Sequence, residues 1–391
     1  MTASSPPLAG PESWGQTPSP AGVPAMDESG ALPDVERGSV VVFRQFDVAD
    51  EVDLVRAGQL LSAERLQVRP RGTPLVLSNP PLALRLGTRP LVLGGREVEA
   101  ELSARIFDFG AVSVRLRVLL PPGTSWAHAS ELVRAAQVDE GLTRLAREES
   151  DKLCARLAPT FTGAHHSALF EDYVVLQLEQ LRPATTALSL PLGAIARLLS
   201  GEPPDAGLSA TEVLESTRHR SSYGGGDLCV AGWSTALVVE PTGDPDVLDV
   251  LELANAQLLE LRYYDELLDR SLDQLYGEVA SRRGRRVGPL RSYAKVLHRT
   301  MAVMLEIAEF VERVENAIKI IGDTYLARLY GSAVDSLRIP AWERSVTRKQ
   351  ALLQQVYDVL RSEVDASRGL LAEALIGALI VIELVLAFRG G

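Results

Sequence analysis

The twenty residues Gly369–Phe388, GLLAEALIGALIVIELVLAF, constrain this chain more than any other stretch. As a helix they span about 30 Å, roughly the hydrocarbon thickness of a bilayer. The run therefore reads as a single C-terminal transmembrane helix, with everything before it on the cytoplasmic side. Glu373 and Glu383 interrupt it. Near mid-bilayer an ionised carboxylate costs on the order of 2.5–3.5 kcal/mol, against about 0.3–0.6 kcal/mol gained from each Leu, Ile, Val or Phe. The sum sits near balance. Both acids read as membrane-anchor residues that face partner helices in an oligomer or line a polar path. A position near the two interfaces and a soluble core helix are the alternatives.

The chain has 391 residues, room for two domains. A net charge of −11 argues against a general nucleic-acid binder. Two cysteines, Cys154 and Cys229, form neither a disulfide framework nor a paired-cysteine zinc site. With four lysines and many Arg, Ala, Leu, Gly and Pro, the usage resembles GC-rich bacterial coding. Residues 1–37 are rich in Pro, Ser and Gly and have no basic start or apolar run, so they read as a disordered tail without a signal peptide. Arg348, Lys349, Arg361 and Arg368 before the final run outnumber Arg389 after it, which places the N-terminus inside. The expected location is a bacterial cytoplasmic membrane, single-pass.

Residues 38–240 mix strand and helix signals without regular alternation, so an α+β head is expected. Ser39–Asp47 reads as a strand, and Val112, Val114, Leu116 and Val118 alternate with Ser113, Arg115 and Arg117, one face buried and one wet. Helices are expected at Ser125–Ala136 and Glu140–Leu157, and a strand at Tyr173–Leu181. Asp227–Val230 and Thr235–Glu240 flank a hairpin turn at Ala231-Gly232.

Beyond Pro245 the period changes. Leu251, Leu258, Leu272 and Val279 recur in heptad register with Ala254, Leu261, Leu268 and Leu275, broken only at Asp265. Leu297, Met304, Val311, Ile318 and Tyr325 form a second series. Residues 245–338 therefore read as a long antiparallel coiled-coil hairpin. Residues 341–368 read as a juxtamembrane helix continuous with the transmembrane helix at 369–388, because no proline follows Pro340.

Arg282, Arg283, Arg285, Arg286, Arg291, Lys295 and Arg299 form a basic cluster at the expected hairpin tip, suited to lipid headgroups or RNA phosphates. A solvated loop is the plainer reading. His165-His166, with Glu171 and Asp172 close by, matches no ligand spacing, so a surface turn is preferred to a metal site. Tyr223–Asp227 is glycine-rich but lacks the Lys-Ser/Thr of a phosphate loop. Glu306, Glu309, Glu312 and Glu315 read as a solvated stripe. No nucleophile–base set stands out, and no catalytic residue, cofactor or metal is assigned.

RVENAIKIIGDTYLARLY (Arg313–Tyr330), Ala341-Trp342-Glu343, AEALIGALIVIELVL and ALFEDYVVLQLE (Ala168–Glu179) resemble the required-for-meiotic-nuclear-division (YagE-type) family. The resemblance implies a domain of unassigned biochemistry ending in a membrane helix. Mitochondrial members are similar in layout, form large homo-oligomers at the inner membrane and support organellar translation. No catalytic residue is established there, so what carries over is the pair Glu373 and Glu383 and a signature at Lys319, Gly322, Asp323, Tyr325 and Trp342. Ala374 stands where an aromatic is common.

The expectation is a non-enzymatic, tail-anchored homo-oligomeric membrane scaffold that holds translation machinery or another partner at the cytoplasmic face. Its expected contacts are membrane lipid, further copies of the chain and RNA or a ribosome. An RNA-binding module using Arg282–Arg299, and an enzyme with its site in the head, are the alternatives.

Overall fold

The computed structural model describes residues 32–66, 79–282, 301–305, 307–308 and 324–389. Among them, the chain builds one eight-stranded mixed sheet in the order β3-β4-β5-β1-β7-β10-β9-β8. The strands are β1 (Asp34–Asp47), β3 (Leu82–Leu93), β4 (Arg96–Ile106), β5 (Ala111–Leu119), β7 (Phe170–Arg182), β8 (Arg220–Ser221), β9 (Leu228–Ala231) and β10 (Thr235–Val239). A two-stranded ribbon, β2 (Glu51–Val52) with β6 (Phe161–Thr162), lies apart. The β7–β10 pair is parallel. The fold is mixed α+β.

Period-two alternation decides which layer each side chain joins. Val40, Val42, Val114, Leu116, Val174 and Leu176 point to one face and pack with α2 (Trp126–Val138), α3 (Glu140–Leu157) and α4 (Leu192–Ser200). Val41, Phe43, Tyr173 and Val175 point to the other, under α6 (Asp246–Arg282), α7 (Thr324–Ser336) and α8 (Ile339–Arg389). Two further short helices are α1 (Leu54–Leu60) and α5 (Ala210–Ser216). Gly110, φ 100°, closes the β4–β5 connection against Ala49, where an added Cβ would fall 1.6 Å from the Ala49 carbonyl oxygen. Only glycine fits there.

The alternation over residues 112–118 holds, but the face expected to be wet is covered. Ser113 is fully buried, and Arg115 is largely buried, beneath α6. The heptad residues of α6 from Leu251 to Leu275 are buried too, but the helix lies between the sheet and α7–α8, so Asp249, Glu252 and Asn255 on its sheet side are buried as well. A two-helix seam would have left them in water.

α8 runs 51 residues. Its first half is fixed to α6: Lys349 Nζ lies 2.8 Å from Asp265 and 2.6 Å from Asp269, and Ser345 Oγ donates to Asp265 at 2.7 Å. Val346 and Leu353 are buried. Among the described residues no helix is long and apolar enough to cross a membrane. This overturns the transmembrane helix expected over 369–388, and with it the tail anchor and the single-pass location in a bacterial cytoplasmic membrane. The physical reason lies in Glu373 and Glu383. Each ionised carboxylate there costs on the order of 2.5–3.5 kcal/mol, which offsets the gain from the apolar residues around it.

Candidate functional site

Two polar clusters fix α6 on the sheet and so set where α8 leaves it. The first is a buried four-membered ion network. Arg105 lies 2.6 Å from Asp249 and 3.3 Å from Glu252. Arg115 lies 3.0 Å from Asp249 and in close contact with Glu252. Ser113 Oγ donates to Glu252 Oε1 at 2.6 Å, and Gln45 Nε2 donates to the Glu252 carbonyl at 2.9 Å. Two cations meet two carboxylates. Burial opposes ionisation of Asp249, but Arg105 and Arg115 outweigh it and hold its carboxyl below the usual range. Burial likewise works against the Arg115 charge, and Glu252 with Asp249 outweighs it and raises its pKa. The network joins residues more than 130 positions apart, with every charge offset, which is the condition for retaining ions in a core.

The second cluster surrounds His165, at the end of β1 and the start of β7. His165 Nε2 lies 2.9 Å from buried Asp47 Oδ2, an ion-pair contact off the line of a hydrogen bond. Its Nδ1 is 3.3 Å from Asp50 and 3.0 Å from the Gly163 carbonyl. The ring stacks on Tyr263 of α6, centroids 4.7 Å apart and 6° from parallel. Burial disfavours the imidazolium, but Asp47 and Asp50 outweigh it and lift the His165 pKa to about 10. Burial also pushes the Asp47 carboxyl up, partly offset by His165. Beside them Arg262 pairs with Glu171 and lies 6.0 Å over the Trp342 ring. Burial outweighs Arg262 and raises Glu171 to about 7.

His165 is therefore an ion-paired strut and not a simple surface turn, and Glu171 and Asp172 turn to arginines. Glu171 pairs with Arg262, and Asp172 lies 4.0 Å from Arg44. Among the described residues no group of three or more His, Cys, Asp or Glu could hold a metal ion. The Tyr223–Asp227 turn closes on itself, with Asp227 accepting from the Tyr223 and Gly224 amides at 2.7 and 2.6 Å.

Only some of the expected site residues lie among the described residues. Arg282 ends α6, and Arg283, Arg285, Arg286, Arg291, Lys295 and Arg299 lie outside the described residues. So do Lys319, Gly322 and Asp323, and the Glu306–Glu315 stripe apart from the helical pair 307–308. Tyr325 is buried, its ring 5.7 Å from that of Tyr223. Trp342 packs partly buried against the α6 layer. Glu373 and Glu383 are exposed on α8.

Around those two acids lies the candidate surface. Leu375, Ile376, Leu379, Ile380, Val381, Ile382, Val385 and Leu386 are each between 50% and 64% exposed. Ala372, Leu375, Leu379, Ile382 and Leu386 step by three, four, three and four residues, the a/d spacing of a helical seam. In that register Glu373 and Glu383 fall on positions b and e, off the seam. Sequence reading missed this because it assigned the whole run to lipid.

A family model described as "Uncharacterized protein MJ0711, N-terminal domain" matches residues 37–246. Those bounds run from within β1 through β10 and stop as α6 begins. The curated protein "Uncharacterized protein MJ0711" of Methanocaldococcus jannaschii is 24% identical over 176 residues, 45% of this chain and 53% of the relative. The chain thus spans about half the length of that relative. No solved structure matches. These findings correct the resemblance to the required-for-meiotic-nuclear-division (YagE-type) family, whose supporting residues come mostly from beyond 246, where the matched model does not reach. The model covers more than half of the 391 residues, and the chain belongs to the family described as Uncharacterized protein MJ0711, N-terminal domain.

Proposed function

We propose that this chain is a non-enzymatic homo-oligomeric scaffold. The ends of α8 from several copies pack into a helical bundle and carry the α+β heads around it. One observation carries the reading: the eight large apolar side chains of residues 375–386 that the described residues leave half or more exposed. A helix apolar on most of its circumference needs cover on most of its circumference.

Further copies of the chain fit that need. The seam Ala372–Leu386 is self-complementary in register and free of charge, and both carboxylates lie outside it. Ile376 on position e and Val385 on position g remain uncovered in a two-helix seam, which favours three or more copies. Bringing a half-exposed Leu or Ile to full burial contributes on the order of 1 kcal/mol. The six on or beside the seam, Leu375, Ile376, Leu379, Ile382, Val385 and Leu386, compare with several kcal/mol lost on association. The translation machinery once expected as partner rested on the corrected family resemblance and is not part of this reading.

The test is sedimentation velocity on the full chain and on the double variant Leu379→Glu/Ile382→Glu. Both sites are solvent-exposed and far from the head, so the heads stay folded. The expected result is an assembly for the parent and a monomer for the variant. A parent that partitions wholly into lipid vesicles, or a variant as large as the parent, contradicts the reading.

A further inference from the structure

Away from α8 and the two clusters lies a cleft of about 920 Å³ between α4–α5, the β9–β10 turn and the α7–α8 junction. Trp233 stands at its edge, 53% exposed. The turn that presents it is held from beneath: buried Tyr173 Oη donates to the Gly232 carbonyl at 2.9 Å. Gly232 N donates to the Thr235 carbonyl at 2.8 Å, and a Cβ on Gly232 would press on that same oxygen at 2.8 Å. The chain thus gives up a side chain at 232 to place an exposed indole at 233.

The opposite wall shows the same kind of choice. Arg338 joins α7 to α8 with φ 53°, and it is the non-glycine residue that takes a positive φ among the described residues. A glycine takes that conformation without strain. Leu337 and Ile339 on either side are buried, which holds Arg338 outward. Its guanidinium lies 5.7 Å over the Trp233 ring and makes no ion pair among the described residues. Strained backbone at a cleft, carrying a side chain that leaves most of its donors unpaired, is a mark of a binding role.

The rest of the lining selects the ligand. Glu212, Glu215 and Asp335 supply carboxylates, and Arg218 stands with Arg338 as the second guanidinium. The exposed Glu215–Arg218 contact, at 3.7 Å, leaves both groups hydrated. A polyanion meets the three acids and a polycation meets the two arginines, so neither is favoured. A neutral molecule whose groups both donate and accept can use charged donors and charged acceptors together. The indole adds an apolar platform for ring C–H groups.

We propose that this cleft binds a neutral oligosaccharide, with a pyranose ring against Trp233 and neighbouring hydroxyls bridging Arg338 and the carboxylates. The proposal is independent of the scaffold reading, because the cleft belongs to the head and not to the end of α8. The test uses the full chain, with maltotriose, cellotriose and xylotriose as probes, followed by saturation-transfer NMR and tryptophan fluorescence. At least one probe is expected to bind with Kd of about 1 mM or tighter. Trp233→Ala is expected to weaken it by about tenfold or more, the loss of a stacking contact. Arg338→Gly removes the guanidinium and relieves the backbone, so it is expected to abolish binding while leaving Tm unchanged or higher. No binding by any of the three, or binding that survives Trp233→Ala and Arg338→Gly, overturns the proposal.

Discussion

His165 Nε2 approaches buried Asp47 Oδ2 to 2.9 Å while its ring lies flat on Tyr263 of α6. One side chain thereby ties the end of the central strand to the helix that crosses it, and the tie depends on a proton.

That dependence has a definite sign. The imidazolium is held to about pH 10 in the fold, and titrates near about 6.5 in an unfolded chain. Its contribution is complete below the lower value and is lost as pH rises through the upper one. Glu171, raised to about 7 by burial, also binds its proton more tightly in the fold and shifts stability in the same direction. Urea unfolding from about pH 6 to about pH 10 is expected to show a loss on the order of 2 kcal/mol, reduced from the full shift because the ring is partly exposed. His165→Gln is expected to flatten that slope. An unchanged slope in the variant would assign the loss elsewhere.

The network under α6 gives a second expectation. Glu252→Ala leaves Arg105 and Arg115 with Asp249 as their sole carboxylate in the network, so one buried cation is uncompensated. The expected cost is about 3–5 kcal/mol, read as a lower urea midpoint. A loss of only a few tenths, the size of a surface pair, would mean water reaches these charges.

Gly110 gives a third. Its φ of 100° and the 1.6 Å approach of an added Cβ to the Ala49 oxygen leave no room for alanine. Gly110→Ala is expected to lose about 3 kcal/mol or more, or to fail to accumulate as folded protein. Gly95→Ala, with a positive φ but nothing within 4 Å, is expected to lose about 1 kcal/mol. Equal losses at the two sites would remove the steric argument.

The seam on α8 gives a fourth. Glu383 lies at position e, beside the seam, where glutamine keeps the shape and removes only the charge, so Glu383→Gln is expected to leave the assembly intact, whereas Leu379→Glu at position a disperses it. Light scattering of both variants checks the register. Dispersal by Glu383→Gln alone would move the carboxylate into the contact.

The local elements were legible where the pattern was local. Val112–Val118 alternate at period two, and Glu140–Leu157 begins at its Asp139 cap, which accepts from the Leu142 amide at 3.1 Å. β3 carries no such unbroken local pattern, because Gly87 and Pro90 interrupt Leu82–Leu93. The Arg105–Arg115–Asp249–Glu252 network was not legible, because no local period marks partners that distant in the chain. The heptads of α6 located its apolar stripe correctly, yet could not show that the polar side faces arginines on a sheet. The run 369–388 misled for the opposite reason. Its composition states that it must be covered and does not state by what.

The mass of the full-length chain in solution tests that last point most directly. Native mass spectrometry or light scattering at micromolar concentration, without detergent, is expected to show three or more copies per particle. A stable monomer with the end of α8 still helical and in water would contradict the account.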